Sequence, residues 1–103
     1  MSEYEALRKA GLIACREYRR LMTDAVEIGQ RCLIRGMDRH AAYWAASARD
    51  WTRRLLVEQR LLRALRDGGP VRWRQTVLEL KPEHTDAMLR DLGVLVVPAM
   101  WSK

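Results

Sequence analysis

At 103 residues, 49% apolar and 31% charged, the chain has the size of one domain and too much apolar content for a disordered tail. It has no run of about 18 apolar residues, which excludes a transmembrane helix. The acidic opening Met1-Ser2-Glu3-Tyr4-Glu5 lacks the apolar segment of a signal peptide, so the expected compartment is the cytoplasm. The net charge is +6, and arginine supplies 16 of the 19 basic residues. That bias is the mark either of a GC-rich genome or of planar recognition of phosphate or carboxylate.

The first predicted helix spans about 3–35. Ser2 with Glu5 three residues on fits a capping box at its start, and Gly36 is a natural stop at its end. Leu7, Gly11, Ala14, Tyr18, Leu21, Ala25, Ile28 and Cys32 recur in steps of 4 and 3, a heptad-like seam along one face. Gly11 and Gly29 each weaken a helix by up to about 1 kcal/mol against Ala, which suggests a use in close packing. Cys15 and Cys32 sit on this one helix roughly 25 Å apart, too far to bridge within it, and read as small buried thiols.

The second predicted helix spans about 38–67, with Asp38 as its cap and Gly68-Gly69-Pro70 as its breaker. The rhythm recurs at Ala41, Trp44, Ala48, Trp51, Leu55, Glu58, Leu62 and Leu65. Folded back at Gly36, the two sets pair in reverse, and each pair of numbers sums to 72 or 73. An antiparallel helical hairpin follows for residues 1–69, with Trp44 and Trp51 filling the seam. Glu58 is the misfit, since a buried carboxylate is costly without a partner; Tyr18 or an arginine is the expected one.

After Pro70 the pattern changes. Residues 75–80 read as a short strand, although Trp73, Val77 and Leu80 also fit a helical face. Lys81-Pro82-Glu83-His84 opens a short acidic helix through Leu92, and Val94 to Val97 read as a second strand. Residues 70–103 thus form a strand–helix–strand appendage, and the whole of 1–103 is one mainly α domain.

Off the seam, Met22, Val26 and Leu33, joined by Tyr43, make an apolar patch near the turn without evident cover. Such a patch points to a partner or a second copy, and a dimeric helical bundle buries it. The predicted charge is also concentrated. Between residues 49 and 74, eight arginines face Asp50, Glu58 and Asp67, so this quarter of the chain holds +5 of the +6. Arg49, Arg53, Arg60 and Arg63 fall on one stripe of the second helix. The stripe suits an acidic protein face or a nucleic-acid backbone; the plain alternative is a solvated face neutralised by pairs such as Asp50–Arg54.

Catalytic groups are hard to find. His40 and His84 have no ligand or nucleophile at useful spacing, the cysteines do not form a zinc pattern, and no phosphate loop is present. The chain is therefore expected to be a non-enzyme with no cofactor or metal. It is read as a small interaction protein that binds another protein, of the kind phage and mobile elements use to block host machinery. A nucleic-acid-binding protein and a subunit of a larger phage assembly are the alternatives.

Overall fold

The structure, a computed structural model, describes residues 2–80. It contains two helices, α1 (Glu3–Ile34) and α2 (Asp38–Glu79), packed against each other as a hairpin. The Ser2 hydroxyl accepts the Glu5 backbone N–H at 3.1 Å and caps α1, as its sequence suggests. The far end of α1 closes in a Schellman motif. The Met37 N–H reaches the Cys32 carbonyl at 2.8 Å and the Gly36 N–H reaches the Leu33 carbonyl at 3.0 Å, with Gly36 at φ 73°. This turn fixes the reversal of the chain. The N-cap of α2 is Met37, with no side-chain capping bond, and Asp38 is instead the first helical residue, where its charge favours the helix dipole.

The register follows the expected pairing. Gly11 lies against Leu62, so close that a Cβ on Gly11 would stand 2.7 Å from Leu62 Cδ2. Half of each expected face holds, with Gly11, Ala25, Ala41, Ala48, Leu55 and Leu65 buried, and the other half is displaced by one residue, Cys15, Gly29, Ala45 and Thr52 taking the places expected of Ala14, Ile28, Trp44 and Trp51. The buried residues of α1 are Gly11, Cys15, Ala25 and Gly29, and those of α2 include Ala41, Ala45, Ala48, Thr52, Leu55 and Leu65. Ala14, Ile28, Trp44 and Trp51 are only half-buried at the flanks. The reason is steric: a seam of Gly, Ala, Cys and Thr lets two backbones approach, and an indole at its centre would hold them apart. The tryptophans instead cover the seam from the side. Trp51 stacks on Tyr18 with ring centroids 5.7 Å apart, and the Arg54 guanidinium lies over it at 5.0 Å. Thr52, polar at the seam, satisfies its hydroxyl within its own helix by donating to the Ala48 carbonyl at 2.7 Å.

The glycine pair before Pro70 kinks α2 without ending helical structure. Gly69 adopts φ 70° and ψ −168°, and Pro70 begins a further helical stretch that runs to Glu79. A proline at a first helical position lacks only an N–H that would have had no partner. Residues 75–79 are therefore helical and not a strand, and no strand occurs among the described residues. Thr76 is the buried residue of this stretch, its hydroxyl donating to the Arg72 carbonyl at 2.8 Å. The kink brings Arg74 into an ion pair with Glu3 in the first turn of α1. The expected helix opened by Lys81-Pro82-Glu83-His84 and running through Leu92, and the expected strand over 94–97, lie outside the described residues.

Candidate interaction surface

The four arginines of the expected stripe do not share one environment. Arg49, Arg53 and Arg60 are half-buried, and only Arg63 is exposed. The Arg49 Nε is enclosed and makes no hydrogen bond among the described residues. Arg54, outside the stripe, pairs with Asp50 at 3.3 Å, the helical spacing expected of it. A row defined by angle on one helix is thus divided by the packing around it.

The apolar patch near the turn is divided in the same way. Met22, Val26 and Leu33 are half-buried, whereas Tyr43 is 66% exposed and meets Trp44 edge-on at 5.2 Å. The apolar residues most open to solvent at this end are Ile34 and Tyr43, with Met37 between them in the chain.

A groove at the opposite end of the hairpin brings charge and apolar surface together. Its volume is about 300 Å3, and it is lined by Tyr4, Arg8 and Leu12 of α1 with Leu62, Arg63 and Arg66 of α2. Leu12 is 46% exposed and Tyr4 37%, so the groove is open along the α1 side. Arg66 holds Asp67 at 2.9 Å, and that bond keeps the Asp67 carboxyl below its ordinary range. Arg8 and Arg63 make no ion pair among the described residues. Of the residues expected to act, Arg63 alone belongs to this groove. Arg66 belongs to the arginine-rich segment between residues 49 and 74, whereas nothing in the sequence pattern marks Tyr4 or Arg8 as contact residues, although the numbering rule that pairs the helices sets Arg8 opposite Leu65.

Further along α1, a shallower hollow is lined by Arg16, Arg19, Arg20, Thr23 and Asp24. Arg20 bridges Glu17 at 2.8 Å and Asp24 at 3.6 Å, while Arg16 and Arg19 make no ion pair among the described residues. The hydrogen bond from Arg20 holds the Glu17 carboxyl below its usual value.

Among the described residues, burial is the leading perturbation at two titratable groups, Glu58 and Cys15. Glu58 is half-buried, and desolvation pushes its carboxyl up. Neither Tyr18 nor an arginine hydrogen-bonds it among the described residues, contrary to the sequence expectation. The Cys15 thiol is pushed up by burial first and by the nearby Glu58 second, with Arg19 opposing. Cys15 is buried as expected, but Cys32 is only half-buried, and both are free. Among the described residues no cluster of three metal-ligating side chains occurs, and no helix is long and apolar enough to cross a membrane.

Comparisons with protein-family models, with curated proteins and with solved structures gave no match to this chain.

Proposed function

We propose that the chain is a small non-enzymatic interaction protein that works in the cytoplasm by binding the acidic surface of another protein. The groove at the open end of the hairpin is the observation that supports this. Arginines on both of its walls surround Leu12 and Leu62, and exposed apolar surface ringed by arginine is the composition of protein contact surfaces. A site made for phosphate needs the cations but not the apolar floor. Stoichiometric block of a host component, as small phage proteins achieve, is the biological role we favour.

The test is capture from a nuclease-treated bacterial lysate with the wild-type chain and with the Arg8→Glu/Arg63→Glu variant. Both residues are exposed, so the variant keeps the fold, which circular dichroism checks. A protein retained by wild type and lost by the variant is the expected result. No capture, or equal capture by the variant, overturns the reading.

Self-association belongs to the same proposal, with Met22, Val26, Leu33 and Tyr43 as the shared face. The exposure of Tyr43 supports it. Light scattering behind size exclusion should then give a salt-independent dimer that Tyr43→Glu converts to monomer.

A second reading, binding of nucleic acid, has one observation of its own in the exposed Arg16 and Arg19 beside Arg20, which make no ion pair among the described residues. It requires DNA or RNA binding that falls steeply with salt and is lost in Arg16→Glu/Arg19→Glu.

A further inference from the structure

We propose that the occupant of the groove is an acidic amphipathic helix of the partner, laid along the α1–α2 cleft as a third helix; this rests on the protein-binding reading above. Three features of the groove select that shape. The first is the backbone of the walls. Both are α-helices, whose interior N–H and C=O groups already bond to one another, and no strand edge exists among the described residues. An extended peptide gains affinity by adding main-chain bonds to an open edge, and none is offered here. A ligand that satisfies its own backbone is required, and a helix does so.

The second is size. Tyr4 to Leu12 spans about 12 Å of helix at 1.5 Å per residue, room for about two turns of a helix lying alongside. The volume of about 300 Å3 sits at the lower limit for enclosing a small molecule, but it suits apolar side chains projecting from one face of a helix. Leu12 and Leu62 offer that face its floor.

The third is charge on both sides. Arg8 stands on the α1 wall, and Arg63 and Arg66 stand on the α2 wall. A helix with apolar residues at i, i+3, i+4 and i+7 and with Glu or Asp flanking that stripe meets a cation along each edge. The geometry is that of an apolar seam with charged flanks in a helical bundle. Asp67 engages Arg66 already, which leaves Arg8 and Arg63 as the cations with no ion pair among the described residues and therefore as the two that the partner's carboxylates meet.

The experiment is fluorescence anisotropy with the full chain and a labelled helical probe of about 18 residues, long enough to be helical in isolation. The probe carries leucine at i, i+3, i+4 and i+7 and glutamate at the flanks. A scrambled probe of the same composition, the lysine version and a labelled oligothymidine serve as controls. The acidic amphipathic probe should bind, and Arg8→Glu or Arg63→Glu should each weaken it by about tenfold. Arg39→Glu, at the exposed start of α2 far from the groove, should leave it unchanged. Equal binding of the scrambled probe, indifference to Arg8→Glu and Arg63→Glu, or displacement by oligothymidine overturns the assignment. Failure of the probe to bind also overturns it, while the lysate capture above still decides whether the groove serves a protein of another shape.

Discussion

Replacing Gly11 by Ala tests the packing of the hairpin directly, because two effects of opposite sign meet there. In an exposed helix the change gains up to about 1 kcal/mol of helix propensity. Here the new methyl would stand 2.7 Å from Leu62 Cδ2 and 3.0 Å from Leu62 Cγ. The Cγ contact is the more serious, since that atom is not the free end of the side chain and moves only if Leu62 changes rotamer or the helices part. Overpacking of this kind costs about 1–3 kcal/mol. The cost outweighs the gain, and Gly11→Ala should destabilise by about 1 kcal/mol net, which lowers Tm by about 4–8 °C in a domain of this size. All three of the nearest atoms to the new Cβ belong to Leu62. In a Leu62→Ala background the clash is gone, so the same substitution should stabilise by up to about 1 kcal/mol. Urea unfolding of the four proteins of this cycle, followed by far-ultraviolet circular dichroism, should therefore give a coupling of about 2 kcal/mol, within the range for residues in contact. Stabilisation by Gly11→Ala in both backgrounds would refute the close approach at this point and with it the pairing register.

The Gly69 backbone lies in a region that other residues reach only under strain, so Gly69→Ala should cost about 1–3 kcal/mol although no atom lies within 4 Å of the added methyl. Amide exchange should accelerate over 71–79 while the amides of Ala25 and Ala48 keep their protection; uniform acceleration would mean the kinked stretch is not a separate unit. Burial raises the Glu58 carboxyl, so the folded state holds its proton to higher pH than the unfolded state. Native stability then falls as pH rises through the ordinary Glu range, about 4.3, to the raised folded value, and the penalty is complete above it. Glu58→Gln removes that penalty and should stabilise the chain more at neutral pH than at pH of about 3; an equal effect at both would show the carboxylate to be well solvated. Cys15 is buried with its thiol pushed up, whereas Cys32 is half-buried, so iodoacetamide should label Cys32 first in the native chain. Mass spectrometry of the labelled peptides checks the order, and prior labelling of Cys15 would refute the seam assignment.

The hairpin and its register were legible because a repeat of 3.5 residues on two breaker-free segments leaves few other ways to bury both faces. The displacement of half of each face was not. A reading that seeks the seam among large apolar side chains selects Trp44, Trp51 and Ile28, and each is displaced to a flank by a smaller neighbour: Ala45, Thr52 and Gly29. Close approach of backbones rewards absence of bulk, and a hydrophobicity pattern does not register it. The stretch after Gly69 failed for a different reason. Gly-Gly-Pro is as good a restart as a stop, and the face it buries contains Thr76, a residue whose hydroxyl is satisfied only once the helix exists to accept it at the Arg72 carbonyl.

The arginines show why a site is harder to read than a fold. Arg49, Arg53, Arg60 and Arg63 share an angle on α2, but availability to a partner depends on what packs beside each, and three of the four are half-buried. The groove draws instead on both helices. Arg8 and Leu12 on α1 meet Leu62, Arg63 and Arg66 on α2 only when the helices are set in register, so neither helix taken singly displays the combination. Arg63 is the one residue common to the stripe and the groove. Charge reversal there is therefore informative beside Arg53→Glu. If the function resides in the stripe along α2, the two substitutions act alike. If it resides in the groove, Arg63→Glu and Arg8→Glu weaken binding together, from opposite helices, while Arg53→Glu acts through stability and shows its effect in unfolding.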